Sequence, residues 1–250
     1  MTLALVSALP QELEAVLALL PDEQRTAFAG RGFWRGHLHG QEVVAVLSGI
    51  GKAAAATTTA LLIARFGASA VVMTGVAGGL GAGVKVGDVV VAAELLQHDM
   101  DASPVFPRHE VPGYGRSRFA TDGALSDRLA RACEATLREA PAALGAAAVE
   151  AFGLDDSRVH RGLLLTGDRF VSRTAESQVL QRELPDALAV DMESAAVAQV
   201  CADFGVPLAV VRTISDRADD AAHVDFPRFL TQVASRYSAA IVERLLGESA

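Results

Sequence analysis

Polar or small residues fall where apolar runs end: Glu12, Gly75-Val76-Ala77-Gly78-Gly79, Asp168, Asp191 with Glu193, and Arg212 with Ser215 and Asp216. Carboxyl groups give and take protons, an Arg among them supplies a fixed positive charge, and glycines let a ligand lie against the backbone. Each residue has an ordinary explanation. Glu193, within Ala189-Val190-Asp191-Met192-Glu193-Ser194, would compensate the dipole of a helix starting there. Asp216, within Val210-Val211-Arg212-Thr213-Ile214-Ser215-Asp216, would close an Asx turn. Taken together, with Glu12 at the first strand end, they fit better as three carboxyl groups and one Arg around a pocket. Open α/β sheets bind ligands beyond the carboxyl ends of their strands. That layout suits an enzyme.

Those positions require strands at 3–9, 43–47, 70–74, 88–93, 162–166, 187–190 and 208–214, whose β-branched, apolar content suits burial. Helical patterns lie between them, at 11–20, 52–66, 125–138, 176–184, 192–204 and 226–246. The last carries Phe229, Val233, Tyr237, Ala240 and Ile241 as an amphipathic stripe. The alternation predicts an α/β fold: a mixed, largely parallel twisted sheet flanked by helices on both faces. No linker or repeat divides the chain, so 1–250 reads as a single domain. Residues 97–119, rich in Pro, Gly and aromatics, read as a functional or interface loop, and the Ala-rich 139–157 as surface elaboration.

Other short motifs carry less. Gly49-Ile50-Gly51-Lys52-Ala53-Ala54 fits G-x-G-x-x-A, but a dinucleotide site also needs an acid at the end of the next strand, which ends Met73-Thr74-Gly75. A tight strand–helix turn is the better reading, and no Walker-type phosphate loop occurs. His98-Asp99-Met100-Asp101 invites a metal, yet the ligand set is small and the other histidines are scattered, so none is assigned. His37 and His39 read as surface residues of a short strand.

Composition narrows the partners. With 22 Lys+Arg against 30 Asp+Glu the formal charge is −8, which leaves no basic excess to displace phosphate counterions and argues against nucleic acid. Aromatics at 5% argue against a base-stacking surface, and 51% hydrophobic residues argue against disorder. The opening MTLALVSALPQELEAV lacks a basic start and a long apolar run, so it does not read as a secretory signal, and no run of membrane-spanning length occurs. Cys133 and Cys201, far apart in sequence, read as buried thiols of a cytoplasmic protein.

At these residues the chain resembles the purine nucleoside phosphorylase/nucleosidase superfamily, and within it the 5′-methylthioadenosine/S-adenosylhomocysteine nucleosidases. The resemblance runs through Glu12, Ser48-Gly49-Ile50-Gly51-Lys52, Thr74-Gly75-Val76-Ala77-Gly78-Gly79-Leu80, Val86-Gly87-Asp88, His98-Asp99, Gly167-Asp168-Arg169-Phe170-Val171, the Asp-Met-Glu segment, and 212–219. It implies a nucleoside phosphorylase-like fold, a homodimer acting in methionine salvage, and hydrolysis of the N-glycosidic bond of adenine thionucleosides without metal or organic cofactor. In that scheme Asp216 is the general acid and Glu12 the general base. Glu193 takes the ribose hydroxyls, Met192 packs on the sugar, Phe170 stacks on adenine and the Val171 backbone bonds its edge. Ala77 and Gly78 also contact substrate, Arg212 steadies Glu193 and the water, and Ser215 supports Asp216. Phe226, with Pro104, Val105, Phe106 and Pro112 of a partner-subunit loop, lines the 5′-thio side.

Two positions depart from the family pattern: Asp191 stands where Glu is usual, and Val76 where Ser or Thr would offer a hydroxyl. The sister phosphorylases bring arginines and a Ser to phosphate, whereas Met73-Thr74-Gly75-Val76 has neither. Glu12 near that space would repel an anion and suits water instead. Alternatives to this reading are a futalosine or aminofutalosine hydrolase of menaquinone synthesis, and a non-catalytic nucleoside-binding protein on the same fold.

Overall fold

The computed structural model describes residues 1–219 and 226–247, so 220–225 and 248–250 of the expected single domain lie outside the described residues. The chain opens with β1 (Thr2–Ser7), α1 (Pro10–Leu17), β2 (Gln24–Phe28), β3 (Arg31–Leu38), β4 (Gln41–Leu47) and α2 (Lys52–Phe66). Next come β5 (Ala68–Met73), β6 (Val76–Gly79), β7 (Val89–Gln97), β8 (Arg118–Ala120), α3 (Gly123–Arg138), α4 (Ala140–Leu144) and α5 (Ala146–Phe152). It closes with β9 (Val159–Thr166), α6 (Thr174–Glu183), β10 (Ala187–Asp191), α7 (Ser194–Phe204), β11 (Leu208–Asp216) and α8 (Phe226–Phe229). A π-helical turn (Leu230–Ala234) joins α8 to α9 (Ser235–Gly247).

Side chains of a strand point alternately to its two faces, and here both faces are apolar. Leu3 and Leu5 of β1, Ala70 and Val72 of β5, and Ala209 and Val211 of β11 bury into one layer. That layer includes Leu13 and Val16 of α1 and Tyr237 and Ile241 of α9. Ala4, Val6, Val71, Met73 and Val210 bury into the other layer, against Ala55 and Leu62 of α2 and Val197 and Cys201 of α7. The expected mixed sheet with helices on both faces is therefore present: β1 runs parallel to β4 and β5, β5 parallel to β11, while β2–β3 and β3–β4 are antiparallel.

One strand organises the rest. The start of β11, Leu208–Val210, pairs with β5, and its end, from Thr213, pairs with β6. Its middle also pairs antiparallel with β7, so β11, β6, β10, β9 and β7 close into a ring. Glycines suit β6, where Gly78 and Gly79 pair with β10 and a Cβ on Gly78 would lie 3.0 Å from Asp216 Oδ1. The register of β11 against β6 shifts between Ile214 and Asp216, an irregularity that re-aims side chains at the strand end.

Two expectations need correction. Residues 139–157 are not surface elaboration: α4 and α5 lie there, and Leu144, Val149 and Leu154 are buried in the core with α9. His39 sits past the end of β3 with φ 50°, so it does not share a strand face with His37, which pairs with Asp22 at 2.8 Å. Among the described residues no helix is long and apolar enough to cross a membrane. Cys133 and Cys201 are buried, unbonded thiols.

Candidate active site

A cavity of about 390 Å³ opens at the carboxyl ends of β6, β10 and β11. Its walls are Val76, Ala77 and Gly78; Val190, Asp191, Met192 and Glu193; Ser215 and Asp216; Arg169, Phe170 and Val171; Ala8, Leu9, Ile50 and Phe226. The volume lies within the range of small-molecule sites, and the lining is mostly apolar with a few converging polar groups. Of the expected contacts, Ala77, Gly78, Phe170, Val171, Met192, Glu193, Ser215, Asp216 and Phe226 line it. Phe170 is half exposed, and its ring centroid lies 6.4 Å from that of Phe226, edge-on.

Glu12 and Arg212 are not on the wall; both are wholly buried behind it. Glu12 enters through α1, whose first turn it caps: its Oε2 accepts from Leu9 N–H at 3.1 Å. Its Oε1 has no hydrogen-bond partner among the described residues. Burial pushes this carboxyl up to about 7, against the pull of Arg212.

Arg212 is a cation among three carboxyl groups. Its Nη2 lies 2.8 Å from Asp191 Oδ2 and its Nε donates there at 2.9 Å, while the contact of Nη2 with Glu193 Oε2 is 3.3 Å. Nη1 donates to the Thr74 carbonyl at 3.2 Å. The guanidinium fits because residue 75 is Gly, where a Cβ would stand 2.0 Å from Nη1 and 3.4 Å from Glu12 Oε1. Arg212 thus contacts Glu193 and, more closely, Asp191.

Asp191 ends β10 and is itself held from several sides. Thr166 Oγ1 donates to its Oδ1 at 2.5 Å, Ser194 Oγ donates to its Oδ2, and the Glu193 and Ser194 amides approach at 3.2 and 3.3 Å. Those amides open α7, so the carboxylate also meets a helix N-terminus. Glu193 Oε1 accepts from Gly51 N–H at 3.1 Å, and burial raises its proton affinity.

The amides at the start of α2, which a dinucleotide phosphate would need, are taken by the chain's own acids. Gly51 N–H serves Glu193, and Lys52 N–H donates to Asp168 Oδ1 at 2.7 Å. Asp168, expected at the pocket, is exposed and caps α2 instead. Asp99, beside His98, pairs with Lys52 Nζ at 2.6 Å and accepts from Asp168 N–H at 2.8 Å, pinning the start of the 98–117 loop. Among the described residues no three His, Cys, Asp or Glu side chains are grouped to hold a metal ion.

Asp216 occupies a different setting. Ser215 Oγ and Ala218 N–H each donate to it at 2.8 Å, no cation is paired with it among the described contacts, and burial raises its proton affinity. Val105, Phe106 and Pro112 do not line this chain's cavity, and Val105 is 80% exposed. Sequence reasoning missed Ala8, Leu9 and Ile50 on the wall, and Thr166 and Ser194 behind it. Ile50, apolar yet 60% exposed between two turn glycines, left a signal in the sequence; Thr166 left none.

The fold and site define a class of nucleoside-processing proteins, and residues 2–247 match the family model described as the phosphorylase superfamily. The 5′-methylthioadenosine/S-adenosylhomocysteine nucleosidase of Anoxybacillus flavithermus is 34% identical over 249 residues, 99% of either chain. The crystal structure of the Neisseria meningitidis nucleosidase of that name, in complex with methylthio-immucillin-A, superposes with a TM-score of 0.85 at 35% identity, covering 99% of each chain. A futalosine hydrolase of Helicobacter pylori superposes at 0.84 with 30% identity, covering 99% of this chain and 98% of that one. This chain belongs to the phosphorylase superfamily and, within it, to the 5′-methylthioadenosine/S-adenosylhomocysteine nucleosidase family.

Proposed function

We propose that this chain hydrolyses the N-glycosidic bond of 5′-methylthioadenosine and S-adenosylhomocysteine, releasing adenine and the thioribose product. The observation that carries the site's part in this is Asp216: a carboxyl group on the wall of a nucleoside-sized cavity, with its proton affinity raised by burial. Adenine is a poor leaving group as an anion, and a proton delivered to N7 lets it depart neutral. Asp216 gives that proton as the bond from N9 to C1′ breaks. Water adds to C1′ from the opposite sugar face and passes its proton to Glu12, in the manner of an inverting glycosidase.

The remaining roles follow the walls. Glu193 accepts the ribose hydroxyls, Met192 packs on the sugar, Phe170 stacks on the base, the Val171 backbone bonds its edge, and Ala77 and Gly78 lie beside the ligand. Ser215 holds Asp216 through its hydroxyl, and Arg212 restrains the acids around the water. Val76 offers the ligand only an apolar contact. Three carboxyl groups around one Arg disfavour a phosphate nucleophile there, which supports water. The reaction needs no cofactor.

We further place the chain in the cytoplasm, in methionine salvage, as one nucleosidase domain over 1–250 that acts as a homodimer. Its unbonded thiols support the compartment. The exposed Val105, with Ile50 and Phe170 exposed at the cavity, supports a partner loop of Val105, Phe106 and Pro112 that covers the 5′-thio side with Phe226. Light scattering on the purified protein tests the dimer.

Purified protein is assayed with 5′-methylthioadenosine, S-adenosylhomocysteine, futalosine and aminofutalosine, and the free bases are separated. Adenine from the two thionucleosides is expected. Hypoxanthine from futalosine as the favoured product would move the assignment to the function of the Helicobacter pylori neighbour. No base release from any of them would leave a binding protein.

A further inference from the structure

We infer that Asp191 sets the basicity of Glu12: by holding the Arg212 guanidinium on its own carboxylate, it keeps that charge from pairing with the base. This rests on the reading of Glu12 as the general base and deepens it. Asp191 acts through Arg212, so it is a positioning residue.

The geometry is one of competition for a single cation. Arg212 makes its ion pairs with Asp191 and Glu193, at 2.8 and 3.3 Å, and none of its described hydrogen bonds reaches Glu12. Yet the two are neighbours, since one Cβ added at Gly75 would meet both Arg212 Nη1 and Glu12 Oε1. What tips the competition is the anchoring of Asp191. Thr166, Ser194 and two backbone amides fix its carboxylate, and Ser194 Oγ also accepts from Arg212 Nε at 3.2 Å. Glu12 has no such anchoring at its Oε1.

The groups facing Glu12 are few. Just before its own helix the backbone of Leu9 and Ala8 bonds it; from β11 it faces Arg212, and from the β10–α7 junction Glu193. A guanidinium moved from Asp191 onto Glu12 would stabilise the ionised form and yield a weaker base. Proton abstraction near neutral pH favours a base whose affinity lies near the working pH. The raised affinity of Glu12 agrees with the arrangement.

The test combines the pH profile of kcat/KM for adenine release with a 13C titration of the Glu12 carboxyl, its resonance assigned by its loss in Glu12→Gln. Wild type is expected to titrate near 7. In Asp191→Asn the titration and the acidic limb are both expected to move down by about 1 unit or more. Asp191→Glu is expected to restore the wild-type limb. A merely structural role would lower the rate at every pH and leave the limb in place, and that result overturns the inference.

Asp191→Ser serves if the Asn variant fails to fold. The wild type also decides by itself: a Glu12 titration below the ordinary carboxylate range would mean that Arg212 is already its partner, against the inference. Adenine release retained by Glu12→Gln would instead refute the base role, while the carboxyl titrations would still report whether Asp191 governs the charge on Glu12.

Discussion

Two buried carboxyl groups border this cavity in opposite electrostatic settings. Glu12 lies behind the wall, in a cluster where Arg212 is shared with Asp191 and Glu193. Asp216 lies on the wall, four residues beyond Arg212 in the chain, and its donors among the described residues are the neutral Ser215 hydroxyl and Ala218 amide. Burial raises the proton affinity of both. The difference is what each can do once ionised. Glu12 has a cation nearby that tolerates its charge, so it can cycle as a base; Asp216 has none among the described residues, so it favours its proton and suits an acid. One strand, β11, carries both Arg212 and Asp216, and its register against β6 shifts between them, after Ile214.

The largest effect is expected at Glu12. Glu12→Gln should abolish adenine release while a non-hydrolysable adenine nucleoside still binds by calorimetry; loss of binding as well would make Glu12 a ligand contact. Asp216→Asn should lower kcat by roughly 10²–10⁴, the usual loss for a general acid, and near-normal turnover in a stopped assay would remove the distinction between the two sites. Gly75→Ala probes the cation most directly. Its Cβ must displace Arg212, and a drop in kcat of about 10² is expected for a misplaced group. Gly83→Ala, with open space around it, should match wild type.

The smallest effect is on stability, and its sign separates a base in a costly setting from a plain structural acid. Glu12 holds its proton more tightly when folded, near 7 against an ordinary 4.5, so ionisation between those values penalises the folded state. Stability conferred by the protonated form is present below 4.5 and lost as pH rises to about 7. Glu12→Gln should therefore raise unfolding stability above pH 7 by on the order of 1–3 kcal/mol, with the gap closing below pH 4.5. Urea melts at pH 8 and pH 4 would measure it; a variant less stable at pH 8 contradicts the buried-charge account.

Much of this was legible before any coordinates. The seven apolar runs each became a strand, and 52–66 forms a helix with those limits, because burial on both sheet faces leaves a continuous apolar signature. The strands β2, β6 and β8 were not legible as apolar runs: β2 is exposed along its length, and β6 and β8 have only four and three residues. The 139–157 segment misled because alanines serve a helix as readily as a loose surface; the buried Leu144, Val149 and Leu154 decide it.

The site divides in the same way. Residue type and position at strand ends determined which side chains could do chemistry, and the family motifs carried their roles, because these depend on local order along the chain. Tertiary structure alone decided that Asp168 turns outward to cap α2, that Glu12 and Arg212 stand behind the wall, and that Asp191 holds the guanidinium. Those outcomes depend on distances between segments far apart in sequence, such as Thr166 to Asp191 and Gly75 to Arg212. Ionisation depends on burial and on the nearest charge, and a sequence specifies neither until the strands have closed around them.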